Sequence, residues 1–124
     1  MLSAEKAYPT VAVKDMAAAR KFYEGPIGLR EVSTEGPGFV AYRTQDSMLF
    51  VYTSRFAGDN EATVVTWIVD DVEKTVEDIK ARGVVFEHYD MPDTTRVGDV
   101  HVSGRQKVAW FKDPDGNIHS IAEE

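Results

Sequence analysis

Residues 108–124 read VAWFKDPDGNIHSIAEE, and the centre of this stretch decides how the end of the chain folds. The polar residues at 113, 115 and 117 alternate like the first ligands of a calcium-binding loop, but Ile118 stands where such a loop requires glycine. A hairpin accounts for the same residues, because Pro114 presets the first turn position and Gly116 supplies a left-handed conformation. We therefore predict a tight turn between two strands and no cation site.

This turn also fixes which residues of the flanking strands face each other. It places Trp110 opposite Ser120 on one face, and it places Phe111, His119 and Ile121 on the other. A turn at TQDS, residues 44–47, sets the faces of an earlier hairpin in the same way. One face there carries Val40, Tyr42, Leu49 and Val51 and is predicted to be core; the other carries Phe39, Phe50 and Tyr52.

Two segments of the chain repeat one pattern. YPTVAVKDMAAARKFYEGPIGL starts at residue 8 and VVTWIVDDVEKTVEDIKARGV at residue 64. Each reads as a strand, a helix-capping aspartate (Asp15 or Asp71) and an amphipathic helix, with Gly28 or Gly83 predicted at the helix end. Three more strands follow in each half, including LREVST at 29–34 and VVFEHYD at 84–90. We predict one α+β domain over residues 1–124, with module one at about 5–56 and module two at about 62–124.

The halves differ mainly in one connection. EGPG joins the second and third strands of the first half, whereas MPDTTRVGDVHVSGRQK, residues 91–107, joins them in the second. A connection of that length is usually functional or mobile. A lone loop histidine is more often solvated, and we expect this of His101, although His88 and His101 could in principle meet a ligand in the cleft.

Composition excludes several classes of protein. The chain is 43% apolar and 28% charged, as in ordinary globular domains, and its formal net charge is −7. An acidic balance disfavours nucleic acid as a partner, and the lack of cysteine excludes disulfides and thiolate chemistry. No apolar run is long enough to span a bilayer, and Glu5 and Lys6 interrupt the place where a signal peptide needs apolar residues. We expect a cytoplasmic protein with no membrane partner.

Three stretches resemble the vicinal oxygen chelate superfamily, which includes glyoxalase I, extradiol dioxygenases, fosfomycin resistance proteins and bleomycin resistance proteins. They are VAVKDMAAARKFYEGPIGL at 11–29, WIVDDVEKTVEDIKARGVVFE at 67–87 and WFKDPDGNIHSI at 110–121. The resemblance implies that two β-α-β-β-β modules form a rolled mixed sheet around a cleft. It also implies a homodimer.

Metalloenzymes of that superfamily take one ligand from the first strand and one from the last strand of each module. The resemblance places these positions at Tyr8, Val64, Ser120 and Phe50, or at Tyr52 in place of Phe50 if the register slips. None is the imidazole or carboxylate that a divalent ion needs. We therefore predict no metal and no cofactor.

Alternate residues of a strand share one face, and this predicts an aromatic lining for the cleft, with Thr66 as a further polar side chain. The predicted ligand-binding residues are Tyr8, Thr10, Phe39, Arg43, Phe50, Tyr52, Trp110 and Ser120. An aromatic cavity with few polar groups is typical of a site for a small organic ligand, although the same rings can pack on one another and fill the space.

Three functions fit these observations. The first is a metal-independent protein that sequesters or carries a small organic ligand. The second is a glyoxalase-like lyase or isomerase, or a dioxygenase, with relocated metal ligands or with metal-free acid–base chemistry from Glu87 or Asp90. The third is a partner-binding module that uses residues 96–107. The sequence leaves open which residues are catalytic, if any, and which ligand is bound.

Overall fold

The computed structural model describes residues 1–34 and 36–123, and the chain divides into two compact units. Unit one comprises residues 1–61 and 114–117, and unit two comprises residues 62–113 and 118–124. Glu35, in the predicted EGPG connection, and Glu124, the predicted end of module two, lie outside the described residues.

Unit one has the predicted β-α-β-β-β order. Its elements are β1 (Thr10–Val13), α1 (Met16–Glu24), β2 (Arg30–Thr34), β3 (Phe39–Arg43) and β4 (Met48–Thr53), preceded by a short 3₁₀ turn. The sheet runs β1-β4-β3-β2, with β1 parallel to β4 and the other pairs antiparallel. A parallel pair of this kind needs a long crossover between its strands, and the helix together with β2 and β3 supplies it.

The predicted register of the β3–β4 hairpin is confirmed. Phe39 lies opposite Tyr52, and Arg43 lies opposite Met48. The face predicted as core is fully buried, with Val40, Tyr42, Leu49 and Val51 all at 0% exposure. These side chains form the apolar centre of unit one, and the opposite face holds Phe39 and Phe50, which are half-buried.

Helix α1 begins as predicted and ends earlier than predicted. The Asp15 carboxylate accepts the N–H of Ala18 at 3.1 Å. The helix ends at Gly25, whose φ is −85°, and Gly28, with φ of 78°, comes three residues later. Placing Gly28 at the helix end was therefore wrong. Pro26 stops the helix sooner, because proline disfavours helical backbone in the residue before it.

Unit two repeats the order and adds a hairpin. Its elements are β5 (Thr63–Ile68), α2 (Val72–Ala81), β6 (Phe86–Glu87), β7 (Thr95–Val97), β8 (Val100–Ser103), β9 (Gln106–Lys112) and β10 (Ile118–Ala122). The sheet runs β5-β10-β9-β8-β7, with β6 also paired to β9 and with β5 parallel to β10. The Asp71 carboxylate caps α2 by accepting the Lys74 N–H at 3.1 Å, and Gly83 is left-handed after the helix, both as predicted. In the described ranges, no helix is long and apolar enough to cross a membrane.

The long connection at 91–107 differs from the prediction, because most of it is sheet. Strands β7 and β8 form a hairpin around Gly98, and β8 and β9 form another around Gly104. Both glycines have φ near +60° at the first of two loop positions, as in a type II′ turn. His101 lies in β8 and is only 2% exposed, so the expectation that it is solvated was wrong.

The strand predicted at 84–90 is shorter than expected. Only Phe86 and Glu87 pair with β9, opposite Phe111 and Trp110. Strand β8 pairs with the first part of β9, at residues 106–108. The two strands share one edge of β9, and this leaves β6 room for two residues.

The DPDGN turn folds as predicted and binds neighbouring backbone. Trp110 lies opposite Ser120 and Phe111 opposite His119, and Gly116 has φ of 88°. Within unit one, the Asp115 carboxylate accepts the N–H of Lys14 at 3.1 Å, and the Asn117 amide donates to the carbonyl of Ala12 at 2.7 Å. These bonds fasten the turn to the end of β1.

The core of unit two contains a buried histidine. His119 is 0% exposed and stacks on Phe111 with ring centroids 4.9 Å apart. Its Nδ1 accepts the indole N–H of Trp67 at 3.0 Å. Burial lowers the pKa of His119 to about 4. The ring is therefore neutral at pH 7 and packs as a core aromatic residue, on the face opposite Trp110, as the register predicts.

Candidate functional site

A cavity of about 470 Å³ lies on the sheet of unit two. Strand β8 contributes His101 and Ser103, and strand β9 contributes Gln106, Val108 and Trp110. These are alternate residues, so they share one face of the sheet. The rest of the wall comes from Met91, Pro92 and Thr94. The two-residue turn at Gly104 sets this lining, because it pairs Ser103 with Gln106 and His101 with Val108.

Trp110 is held in a fixed orientation within this lining. The rings of Tyr89 and His101 contact it edge-on, with centroids 5.3 and 4.9 Å away and interplanar angles of 80° and 78°. Its indole N–H donates to the hydroxyl of Thr63 at 3.3 Å. The polar edge of the indole is thus satisfied, and the ring can serve as an apolar wall.

His101 lines the cavity, and a backbone contact sets the tautomer of its ring. Its Nε2 lies 3.0 Å from the backbone N–H of Tyr89 and accepts that proton. In a neutral imidazole the other nitrogen then carries the hydrogen, so Nδ1 is a donor. Nδ1 is buried and has no hydrogen-bond partner among the described residues, and the same is true of the Tyr89 hydroxyl. Buried polar groups without partners are rare in native proteins and call for an explanation.

An ion pair and a hydrogen bond hold the hairpin that carries His101. Asp99, in the β7–β8 turn, contacts Lys80 of α2 at 2.7 Å and His88 Nε2 at 2.7 Å. The hydrogen bonds from Lys80 and then His88 hold the pKa of Asp99 below its usual range. The carboxylate is therefore charged at neutral pH and ties the hairpin to α2 and to the segment before the cavity wall.

Two of the predicted ligand-binding residues lie in unit two. Trp110 lines the cavity. Ser120 is opposite Trp110 on the same face but is 5% exposed, and its hydroxyl bonds the hydroxyl of Thr66 at 2.8 Å. Ser120 and Thr66 thus form a closed polar pair beside the cavity.

The other predicted residues lie in unit one. Tyr8, Phe39 and Phe50 come together there, with ring centroids 5.0 Å apart for Tyr8–Phe50 and 5.2 Å for Phe39–Phe50. The remaining predicted residues, Thr10, Arg43 and Tyr52, are exposed. The sequence therefore identified a real aromatic cluster, in which the rings pack edge-on against one another.

Unit one also has a depression of about 490 Å³, lined by Lys14, Thr53, Ser54 and Arg55. Both cationic side chains are exposed, and the guanidinium of Arg55 stacks over Phe56 at 4.8 Å. No aromatic ring lines this depression. The cavity of unit two, with its fixed indole and its buried imidazole, is the better candidate for ligand binding.

The sequence comparison identifies the family. The model of the Glyoxalase/Bleomycin resistance protein/Dioxygenase superfamily matches residues 7–120. The chain belongs to this superfamily. No curated protein sequence matches it significantly.

Solved structures share the fold of this superfamily member at low sequence identity. A bleomycin resistance determinant encoded on transposon Tn5 superposes with a TM-score of 0.73 at 19% identity, over 97% of this chain and 98% of that one. Lactoylglutathione lyase from Agrobacterium tumefaciens gives a TM-score of 0.70 at 18% identity, over 96% and 92%. A glyoxalase/bleomycin resistance protein from Catenulispora acidiphila gives 0.70 at 19%, over 96% and 97%.

The side chains at the positions that the resemblance assigns to metal ligands do not fit a divalent ion. Phe50 and Val64 have no donor atom. The Ser120 hydroxyl is engaged with Thr66, and the Tyr8 ring packs on Phe50. A neutral phenol and a neutral hydroxyl are poor ligands beside the imidazoles and carboxylates that such ions prefer.

A cluster of three carboxylates at the start of α2 has a structural explanation and needs no metal ion. Within the described ranges, Asp71, Glu73 and Glu123 bring carboxylate oxygens within 4.8 Å of one another. Asp71 and Glu123 accept N–H groups at the start of α2, from Lys74 and Val72 respectively. Glu73 pairs with Lys107 at 2.8 Å. Helix capping and an ion pair therefore account for all three carboxylates.

Most of the cavity lining was not predicted from the sequence. His101, Ser103 and Gln106 were assigned to the connection at 91–107, although Gly-Asp at 98–99 and Gly-Arg at 104–105 are two-residue hairpin signals. Reading both hairpins would have placed alternate residues of 101–108 on one face of the sheet, next to Trp110.

Proposed function

We propose that this chain is a metal-independent small-molecule-binding protein of the superfamily. It holds an organic ligand in the unit-two cavity, against Trp110. The observation that carries the proposal is a cavity of about 470 Å³ with a fixed indole ring in its wall and a few polar side chains around it. This volume is within the range of about 300–1,000 Å³ typical of small-molecule sites, and the mixture of apolar wall and few polar groups is typical as well.

Independence of metal is supported by chemistry at the four family positions. Two of these side chains have no donor atom, and the Ser120 hydroxyl already bonds Thr66. Inductively coupled plasma mass spectrometry of purified protein tests this part. We expect divalent metal at trace occupancy. A stoichiometric ion would support instead the glyoxalase-like or dioxygenase chemistry with relocated ligands.

The aromatic cluster of unit one is the second part of the proposal. We infer that Tyr8, Phe39 and Phe50 bind an organic ligand within unit one, with the exposed Thr10, Arg43 and Tyr52 at the border of that surface. The half-buried state of the three clustered rings supports this. Phe50→Ala tests it: weaker ligand binding with an unchanged fold is expected, and unchanged binding would assign these rings to packing alone.

Two proposals concern assembly and location. We propose a homodimer, supported by large apolar side chains that remain exposed in the single chain, with Val85 at 78%, Val97 at 65% and Ile68 at 57%. Light scattering coupled to size exclusion is expected to give twice the chain mass of 13.8 kDa. We also propose a cytoplasmic protein that does not bind nucleic acid, supported by the net charge of −7 and the absence of cysteine.

A fluorescence experiment tests the central proposal. The chain has two tryptophans, so Trp67→Phe leaves Trp110 as the only indole reporter. A thermal-shift screen of planar organic compounds supplies hits, because a ligand that binds only the folded state stabilises it. We expect hits to change the Trp110 emission in this variant.

The matched variants are Trp110→Ala and Phe56→Ala. Phe56 is an aromatic residue that is 65% exposed in unit one, outside the cavity lining. We expect Trp110→Ala to abolish the thermal shift and Phe56→Ala to retain it. If every hit stabilises the Trp110→Ala protein as strongly as the wild type, the ligand does not bind in this cavity.

A further inference from the structure

The depression of unit one has the chemistry of a second site, for a different class of ligand. We propose that it binds the phosphate group of a small molecule, either a phosphate monoester or free phosphate. This site goes beyond the proposed function, because it depends neither on the cavity of unit two nor on the aromatic cluster of unit one. Its lining consists of two cations and two hydroxyl groups, from Lys14, Thr53, Ser54 and Arg55.

The sheet brings these four residues together. Strands β1 and β4 are parallel neighbours, and Val13 pairs with Thr53 where both strands end. The N–H of Ser54 donates to the carbonyl of Val13 at 2.9 Å. Lys14 therefore leaves β1 beside the point where Ser54 and Arg55 leave β4. The result is a depression of about 490 Å³ between segments that are far apart in the sequence.

The two cations have no anionic partner. In residues 1–34 and 36–123, neither Lys14 nor Arg55 forms a salt bridge. Two carboxylates near Lys14 bond backbone instead: Asp15 accepts the N–H of Ala18, and Asp115 accepts the N–H of Lys14, both at 3.1 Å. The chain has 21 acidic and 14 basic residues, so two cations at one depression without a carboxylate in its lining are a local exception that favours an anion.

The guanidinium of Arg55 is oriented by its neighbour. Its central carbon lies over the ring of Phe56, 4.8 Å from the ring centroid. Stacking of this kind uses the flat face of the guanidinium and leaves the N–H groups in its plane able to donate. Two parallel N–H groups of such a plane match two oxygens of a phosphate, so Arg55 supplies a partly preorganised fork.

The hydroxyl groups add donors for an oxyanion. The Ser54 oxygen accepts the N–H of Phe56 at 3.1 Å, and a hydroxyl that accepts one hydrogen bond can still donate its own hydrogen. The Thr53 side chain is exposed and can donate as well. A phosphate monoester has three peripheral oxygens and, above its second pKa of about 6, a charge close to −2. Two cations and two hydroxyls match this group better than they match a carboxylate with one charge and two oxygens.

The size of the depression allows either source of the phosphate. About 490 Å³ falls within the range of about 300–1,000 Å³ found for sites that hold small organic molecules. A phosphate monoester therefore fits as well as the free ion. Since no aromatic ring lines the depression, the phosphate itself would anchor the ligand.

Three probes test the proposal: phenyl phosphate, inorganic phosphate and benzoate. Benzoate keeps the ring of phenyl phosphate and replaces the phosphate by a monoanionic carboxylate. Dissociation constants are measured from amide chemical-shift changes at about pH 7.5, where the monoester is dianionic, and at low ionic strength, where exposed charges are least screened. We expect saturable shifts at residues 14 and 53–55 with both phosphates, and benzoate binding at least about five-fold weaker than phenyl phosphate. The tighter of the two phosphates identifies the source.

Matched variants assign the binding to the depression. Lys14→Gln and Arg55→Gln are each expected to weaken phenyl phosphate by about five-fold, the upper value for an exposed ion pair. Arg55→Lys keeps the charge and loses the fork, so a smaller loss is expected. Lys21→Gln and Arg30→Gln are the controls, because both residues are exposed cations of unit one outside the lining. These controls are expected to leave the dissociation constant unchanged within about two-fold.

Three results would overturn the phosphate site. The first is the lack of a saturable shift at residues 14 and 53–55 with either phosphate at millimolar concentration. The second is equal weakening by Lys14→Gln and Lys21→Gln, which would reflect the overall charge of the chain and not a site. The third is benzoate binding as tightly as phenyl phosphate. None of these results bears on the cavity of unit two, which is tested through Trp110.

Discussion

The buried imidazole of His119 predicts a specific loss of stability in mild acid. Its pKa is about 4 in the folded protein, against an ordinary value of 6.5, because the ring is buried. Each pKa unit is worth about 1.4 kcal/mol, so the difference corresponds to about 3 kcal/mol. Between pH 6.5 and 4 the unfolded chain binds the extra proton, so stability is full above pH 6.5 and falls as the pH drops through this window.

Urea unfolding at a series of pH values between 7.5 and 4 measures this effect. The variant His119→Asn removes the titrating group and keeps an amide oxygen that can accept from the indole of Trp67. Carboxylates titrate in both proteins, so the difference between their slopes isolates His119. We expect the free energy of unfolding of the wild type to fall by about 3 kcal/mol more than that of the variant. Parallel curves, or an NMR titration of His119 with a midpoint near 6.5, would refute the reasoning.

Two other predictions test the packing of the DPDGN turn and the attachment of the β7–β8 hairpin. Gly58→Ala is expected to lower the free energy of unfolding by about 3 kcal/mol, because the φ of Gly58 is +78° and an added Cβ would overlap the carbonyl oxygen of Asp115. Gly36→Ala is the control: Gly36 has a φ of +71° but open space around it, so the expected loss is about 1 kcal/mol. Equal losses in chemical denaturation would show that the turn does not pack on Gly58. Asp99→Asn is expected to lower stability by about 1 kcal/mol and to speed amide exchange in residues 95–103, because the pairs with Lys80 and His88 weaken. Unchanged exchange would mean that these pairs do not hold the hairpin.

Turn chemistry made the strand faces predictable from sequence. The DPDGN and TQDS turns fix the register of two hairpins, and register alone decides that Trp110 faces Ser120 and that Phe39 faces Tyr52. The helix starts were equally predictable, because Asp15 and Asp71 each accept a backbone N–H three residues on. Local side-chain to backbone bonds such as these leave a direct trace in the sequence.

The candidate cavity was less predictable, because it depends on short strands and on distant partners. Strands β7 and β8 have three and four residues, too few to show a strong alternating pattern. His101 is buried because β8 pairs on both sides and because the rings of Tyr89 and Trp110 contact it. The two ring contacts join residues that are 9 and 12 positions apart in the chain. Composition and local spacing therefore do not predict the burial or the tautomer of His101.

The most direct test of the central claim is a crystal structure of chelator-treated protein with the tightest-binding hit from the thermal-shift screen. We expect the ligand in the cavity on the face of β8 and β9, with its ring against Trp110 and no metal ion beside it. A ligand found elsewhere while this cavity stays empty, or binding that is lost on chelation and restored by a divalent ion, would contradict it.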